Sequence, residues 1–270
     1  MPLDKALHAL VDRHRSGTRC AVLLDYDGTL TPIVAHPALA RLARDTRLLL
    51  RRFNATPGIE VGIVSSRGLD DLRRMVRVRG ICLAGNCGLE MRVGRQTTVH
   101  PRGSEAIGPI ADFREQLALA LSSFEGAWLE DKRYSLTVHY RHLATDRTRS
   151  LSDQVHAMAC DWPQPLQIVP GPMALEITPD INWTKANCVQ RLMVEFAVQG
   201  PDVFYAGNAA NDAEALELVR QMRGIAVGIG PQSPDTAEYR LPDPAALVTL
   251  LIQFSKALAV KTTFAAAPQD

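Results

Sequence analysis

Paired cysteines, a charge excess of either sign and long apolar runs are all missing from this chain. Its five cysteines, Cys20, Cys82, Cys87, Cys160 and Cys188, include no CxxC pair, and Cys82 and Cys87, the nearest two, have no second pair at zinc-ligand spacing. The sequence thus offers no zinc site, and its thiols read as structural or inert. Thirty Lys+Arg stand against 29 Asp+Glu, too even a balance for the basic field that draws nucleic acid. No run reaches the roughly 18 apolar residues of a membrane span. Residues 1–15 lack a continuous apolar signal core, so the expected location is the cytoplasm. There is no internal repeat. His139 and His142 lie three apart, and on a strand that spacing sends them to opposite faces, which argues against a shared metal.

What is present is enough for one large domain or a domain with an insert: 270 residues, 46% of them hydrophobic. Leu3, Ala6, Leu7, Leu10 and Val11 recur at helical spacing and predict a first amphipathic helix. Apolar runs that end in small or polar residues then alternate with helical patterns. They are Cys20 to Leu24, Ile59 to Val64, Ile81 to Ala84, Val203 to Ala206 and Ile225 to Ile229. Near-continuous apolar strands are buried on both faces, the mark of a parallel sheet between helices. In such sheets ligands sit beyond the carboxyl ends of the strands. The first run ends in Asp25-Tyr26-Asp27-Gly28-Thr29. Residues i and i+2 share a face, so two carboxylates can reach one substrate, one to attack phosphorus and the other to trade a proton. Mg²⁺ suits their repulsion, because it takes hard oxygen ligands from one or two carboxylates.

Between about Arg95 and Pro179 the texture changes to that of an α+β insert, with helices near Phe113 to Phe124 and Thr145 to Cys160. Here Tyr134, Leu136, Val138 and Tyr140 alternate with Ser135, Thr137, His139 and Arg141, so one strand face is polar and can line a hydrophilic ligand. Met173, Leu175 and Ile177 alternate in the same way around Glu176. Asn182 or Thr184 then caps a helix that carries Lys185 in its first turn. A cation at the positive end of a helix either faces solvent or is held for an anion.

Taken in order, Asp25 with Asp27, Ser65 with Arg67, Lys185, and Gly207-Asn208-Ala209-Ala210-Asn211-Asp212 resemble the four motifs of the haloacid dehalogenase superfamily. The insert resembles that superfamily's type 2 cap. A narrower likeness is to the trehalose-6-phosphate phosphatase family. It is carried by Gly85-Asn86-Cys87-Gly88-Leu89-Glu90, by Glu130-Asp131-Lys132 followed by Ser135 to Arg141, by Leu175-Glu176-Ile177 and by Trp183-Thr184-Lys185-Ala186. Cys87 stands where that family usually has histidine, and Ala186 where it has glycine.

The residues of 261–270, ending in Ala-Ala-Ala-Pro-Gln-Asp, read as a flexible tail. The resemblance implies a Rossmann-like doubly wound core over 1–94 and 180–260 and a cap over 95–179. It implies Asp25 as nucleophile, Asp27 as acid/base, and Ser65, Arg67 and Lys185 around the phosphoryl group. Asn86, Lys132, His139, Arg141 and Glu176 would contact the sugar. Mg²⁺ would lie on Asp25, Asp27, Asn208 and Asp212, with orientation of Lys185 the alternative role for Asp212. The expected partner is a small sugar phosphate, most of all trehalose 6-phosphate, handled by a monomer or weak homo-oligomer. Asn208 replaces the family's aspartate and removes one negative charge from the metal site. Two alternatives therefore stay open: another sugar or glycoside phosphate as substrate, or a sugar-phosphate binder impaired in turnover.

Overall fold

Every residue of the strand Cys20–Leu24 is buried. Cys20, Val22 and Leu24 enter one hydrophobic core, while Ala21 and Leu23 enter another. A strand with two apolar faces needs helices on both sides, and the computed structural model, which describes residues 2–259, shows that arrangement. The tail expected at 261–270 lies outside the described residues.

In chain order the first elements are α1 (Leu3–Arg15), β1 (Cys20–Leu24), α2 (Arg44–Ala55), β2 (Ile59–Val64), α3 (Leu69–Val76), β3 (Cys82–Gly85), β4 (Glu90–Val93) and β5 (Gln96–Val99). There follow α4 (Pro101–Glu105), α5 (Ile107–Leu121), β6 (Trp128–Asp131), β7 (Leu136–His139), α6 (Thr148–Cys160), β8 (Leu166–Gly171) and β9 (Ala174–Pro179). The chain ends with α7 (Lys185–Phe196), β10 (Val203–Gly207), α8 (Ala213–Gln221), β11 (Ile225–Ile229), β12 (Tyr239–Leu241) and α9 (Pro244–Ala259).

One eight-stranded sheet has the order β12-β11-β10-β1-β2-β3-β4-β5, parallel as far as β3 and antiparallel beyond it. Helices α1, α2, α3 and α9 cover one face, and α7 and α8 the other. The chain proceeds outward from β1 in both directions, so β1 flanks the topological switch point where such sheets bind ligands. Asp25 follows it directly. β5 corrects the boundary expected at residue 95: it pairs with β4 from Glu90↔Val99 to Val93↔Gln96, so the large sheet continues to Val99.

A second, antiparallel sheet has the order β6-β7-β9-β8. Its apolar residues Leu136, Val138, Leu175 and Ile177 pack with Phe113, Leu117, Leu151 and Val155 of α5 and α6 in a core of their own. Helix α5 starts at Ile107, earlier than the pattern suggested, and Ile110 extends its buried stripe. Alternation sends the remaining residues to the opposite face, where Glu130, Thr137 and Glu176 lie side by side across three strands. His142 falls beyond the end of β7.

Candidate active site

Asp25 extends the β1 ladder by donating its backbone N–H to Ala206 O at 2.9 Å. Its buried carboxylate accepts from Lys185 Nζ at 2.8 Å on Oδ1 and from Thr29 Oγ1 at 3.0 Å on Oδ2. Lys185 Nζ also lies 2.8 Å from Asp212 Oδ1, which places one ammonium between two carboxylates. Burial lifts the Asp25 carboxyl to about 7 against the pull of Lys185. Burial alone would lower the lysine, but Asp212 and Asp25 outweigh it and hold Lys185 well above its ordinary value. Thr184 fixes this lysine at the start of α7 through a capping box with Asn187. Of the two caps proposed from sequence, Thr184 is the one used.

Asp27 points into a cavity of about 120 Å³ between the large sheet and the small one. Its two oxygens are held by Arg67, Nε to Oδ2 at 2.5 Å and Nη2 to Oδ1 at 2.8 Å. The same guanidinium donates to Asp71 Oδ2 at 2.5 Å and to Pro37 O at 2.8 Å. Arg67 thus serves as a clamp on the acid/base candidate. Ser65 is buried, and its Oγ accepts the Arg67 backbone N–H at 3.2 Å.

Asn208 faces Asp25 and Asp27 across Gly28. A Cβ on Gly28 would come within 2.1 Å of Asn208 Nδ2, and Gly28 sits at φ +80°, so only glycine fits this turn. With its amide oxygen inward, Asn208 accepts from Thr29 Oγ1 at 3.3 Å and stands 2.8 Å from Asp27 O and 3.1 Å from Asp25 Oδ2. Adjacent oxygens of an octahedral shell with bonds of about 2.1 Å are about 3 Å apart, so this oxygen-inward trio fits Mg²⁺. Turned over, the amide nitrogen donates to the same three oxygens. The donor set then holds a single carboxylate.

Asp212 stands apart from that trio and contacts Lys185, the second of the two roles open to it. Its Oδ1 accepts from Lys185 and from Tyr205 Oη at 2.6 Å, and its Oδ2 accepts the backbone N–H groups of Asn208 and Ala209 at 3.0 and 3.1 Å. With both oxygens committed, it orients Lys185 and the loop. Glu214 is similarly engaged, by Thr184 Oγ1 at 2.9 Å. Among the described residues no group of three His, Cys, Asp or Glu side chains converges as a metal site.

Of the expected sugar contacts, Lys132, His139, Arg141 and Glu176 line the cavity beside Asp27. Lys132 Nζ lies 4.0 Å from Glu176 Oε1, and His139 is tied to Glu130 at 2.8 Å. Asn86 is the exception. Its Oδ1 accepts from Ser135 Oγ at 2.5 Å, and its Nδ2 donates to Glu90 at 2.7 Å and Lys132 O at 3.2 Å, so its amide braces the insert against the large sheet. Cys87 lines a neighbouring cavity of about 140 Å³ with Lys185 and Glu176. Burial pushes its thiol up to about 12, which keeps it neutral.

Sequence reasoning passed over several contributors. Trp128 lines the cavity and stacks on His36 at 4.7 Å and on His139 at 4.1 Å. Thr137, already placed on the polar strand face, lines it as well, and its buried hydroxyl has no hydrogen-bond partner. Its place on the polar face was the signal available for it. Tyr205 and Asp71 gave none, since their partners come from other segments.

The sequence model of the trehalose-phosphatase family matches residues 23–245. A probable trehalose-phosphate phosphatase 4 of Oryza sativa subsp. japonica is 30% identical over 88% of this chain and 66% of its own length. An uncharacterized glycosyl hydrolase of Mycobacterium tuberculosis is 31% identical over 92% of this chain, which spans only 19% of that longer protein. Among solved structures, the C-terminal domain of Candida albicans trehalose-6-phosphate phosphatase superposes with a TM-score of 0.81 at 19% identity, covering 93% of this chain and 96% of that one. A haloacid dehalogenase-like hydrolase from Bacteroides thetaiotaomicron gives 0.63 at 14% identity, covering 87% and 99%. These two likenesses show the fold alone, a doubly wound α/β core that carries an α+β insert. The family model, which takes in both sheets from Leu23 onward and every catalytic candidate described above, establishes more: the chain belongs to the trehalose-phosphatase family.

Proposed function

We propose that this chain hydrolyses a phosphorylated sugar, trehalose 6-phosphate foremost, to the free sugar and phosphate, with Mg²⁺ as cofactor. The observation that carries the reading is Lys185, set 2.8 Å from both Asp25 and Asp212 and lining, with Glu176 of the insert's polar face, a cavity of about 140 Å³. An Asp25 oxygen forms a bond to phosphorus as the bond to the sugar oxygen breaks, leaving a phosphorylated Asp25. Asp27 delivers the proton that the departing oxygen needs, then takes one from water as that water attacks phosphorus and frees Asp25. To do so Asp27 has to leave Arg67, which keeps Asp71 and Pro37 O as partners. Lys185 and the Ser65 hydroxyl are positioned to spread charge on the phosphoryl oxygens. When bound at Asp25, Asp27 O and Asn208, Mg²⁺ would supply further neutralisation of that charge. Lys132, Arg141 and Glu176 offer directed hydrogen bonds to sugar hydroxyls.

The purified protein, given trehalose 6-phosphate and a panel of sugar phosphates, should release phosphate in a Mg²⁺-dependent manner, and Asp25→Asn should abolish release while the fold survives. Release from none of them would end the reading. A second reading, a sugar-phosphate binder without turnover, draws support from Asn208, whose amide can close Asp25 Oδ2 and Asp27 O by hydrogen bonds. Calorimetric binding of trehalose 6-phosphate without phosphate release would select it.

A further inference from the structure

Five arginines from three segments line one cleft of about 750 Å³: Arg73 on α3, Arg77 and Arg79 on the loop that follows it, and Arg92 and Arg95 on the β4–β5 hairpin. No carboxylate lines it. Arg73 pairs with Asp70 at 3.0 Å, but Arg77, Arg79, Arg92 and Arg95 make no ion pair among the described residues. The chain as a whole is nearly neutral, so the concentration is local. Cations near the C-terminus of α3 are favourable to its dipole, which accounts for Arg73 and Arg77. It does not account for Arg79, Arg92 and Arg95, which arrive from elsewhere and repel their neighbours.

The cleft is held in shape. Arg47 of α2 donates to Val76 O at 3.0 Å, and Asn54 donates to Arg79 O at 3.4 Å, which fixes the loop. Arg92 Nε donates to Gly94 O at 3.1 Å, which orients that guanidinium while leaving its outer nitrogens free to donate. Arg77 itself adopts the left-handed conformation at φ 52°, which costs a non-glycine residue of order 1 kcal/mol or more and persists only where surroundings impose it. Such preorganisation lowers the entropy cost of ligand capture.

We propose that this cleft binds a compact, multiply charged phosphate anion, at a site separate from the phosphoryl pocket. Guanidinium forks match phosphate oxygens bidentately, and the volume falls in the small-molecule range of roughly 300–1,000 Å³. The floor is aliphatic, from Val78, Ile81 and Leu83. With no aromatic residue in the lining, the cleft lacks the stacking platform of a single-stranded nucleic-acid site. No large exposed hydrophobic residue lies in it either, so nothing there would insert into a membrane. The site is remote from Asp25: α3 has Arg67 just before its start and runs eight residues, about 12 Å, before reaching Arg77.

The test is isothermal titration calorimetry of the full chain with inorganic triphosphate in phosphate-free buffer, the arginine variants telling the cleft from the phosphoryl pocket. One equivalent should bind, with affinity falling steeply as salt rises and falling about tenfold or more in Arg79→Gln/Arg95→Gln, while phosphatase activity stays at the wild-type level. Arg77→Gln/Arg92→Gln should weaken binding comparably. Absence of binding heat, or affinity unchanged in both double variants, overturns the proposal. Retention on phosphatidylcholine vesicles carrying phosphatidylserine, or on a short single-stranded RNA, in the absence of triphosphate binding overturns it equally.

Discussion

Thr137 carries a hydroxyl that folding has removed from water without supplying a partner, a loss worth about 1–3 kcal/mol. Its neighbours across the strands are Glu130 and Glu176, so a sugar hydroxyl entering the cavity meets a donor and acceptor between two acceptors. Thr137→Val should therefore raise the melting temperature by about 2–4 °C per kcal/mol recovered while raising KM about three- to tenfold, the worth of one hydrogen bond. A lower melting temperature, or an unchanged KM, would show that the hydroxyl is structural. Asn208 invites the opposite trade. An aspartate there would set a carboxylate against Asp25 Oδ2 and Asp27 O at the 3.1 and 2.8 Å spacing. Asn208→Asp should melt lower than wild type in chelator, recover with Mg²⁺, and bind Mg²⁺ at least about tenfold more tightly by calorimetry. Melting curves equal to wild type in both conditions would remove Asn208 from the cation site. Asp25, Asp27 and Lys185 were legible because their chemistry shows in residue type, local spacing and motif order. The role of Asn86 was not, because Ser135 and Lys132 of a distant segment decide it, and which of its two expected roles Asp212 takes rests on Lys185 and Tyr205, which local spacing does not bring together.

At the scale of elements, α7 ties stability to chemistry. Its cap, Thr184 Oγ1, accepts from Ala186 N at 3.3 Å and donates to Glu214 Oε2 at 2.9 Å, and Lys185 is the first helical residue. Thr184→Ala removes a cap worth about 1 kcal/mol and frees the turn that aims Lys185. Turnover should fall with little change in KM, the melting temperature should drop by about 2–4 °C, and Thr184→Ser should restore both. A loss of stability with full turnover would mean that Lys185 is held by its carboxylates alone. The buried parallel strands were readable as apolar runs because both their faces are covered. The β4–β5 hairpin was not, since β5 is an edge strand reading Gln-Thr-Thr-Val with its first half exposed, and polar edge residues carry no period-two signal. It is this unread hairpin that brings Arg92 and Arg95 to the second cleft.

For the whole molecule, the presence of an insert showed in the changed texture of residues 95–179, and its strand alternation showed which face was polar. How it seats on the large sheet depends on contacts no local pattern encodes. Asn86 bonds Ser135 and Lys132, Asn211 Nδ2 donates to Glu176 at 3.1 Å, and His36 stacks on Trp128. Asn86 makes the most connections of the three, and its Ser135 hydroxyl is buried. Asn86→Ala strands that hydroxyl and frees the Lys132 carbonyl, so the closed arrangement loses about 1–3 kcal/mol while an open one, with Ser135 in water, loses little. The equilibrium between them should move toward open by about one to two orders of magnitude. Small-angle scattering should then give a larger radius of gyration than wild type. Trehalose 6-phosphate should require a higher concentration to saturate, whereas p-nitrophenyl phosphate, which has no sugar for the insert to grip, should be hydrolysed at an undiminished rate. Equal losses on both substrates at an unchanged radius would place Asn86 in the phosphoryl pocket and not at the joint between the two sheets.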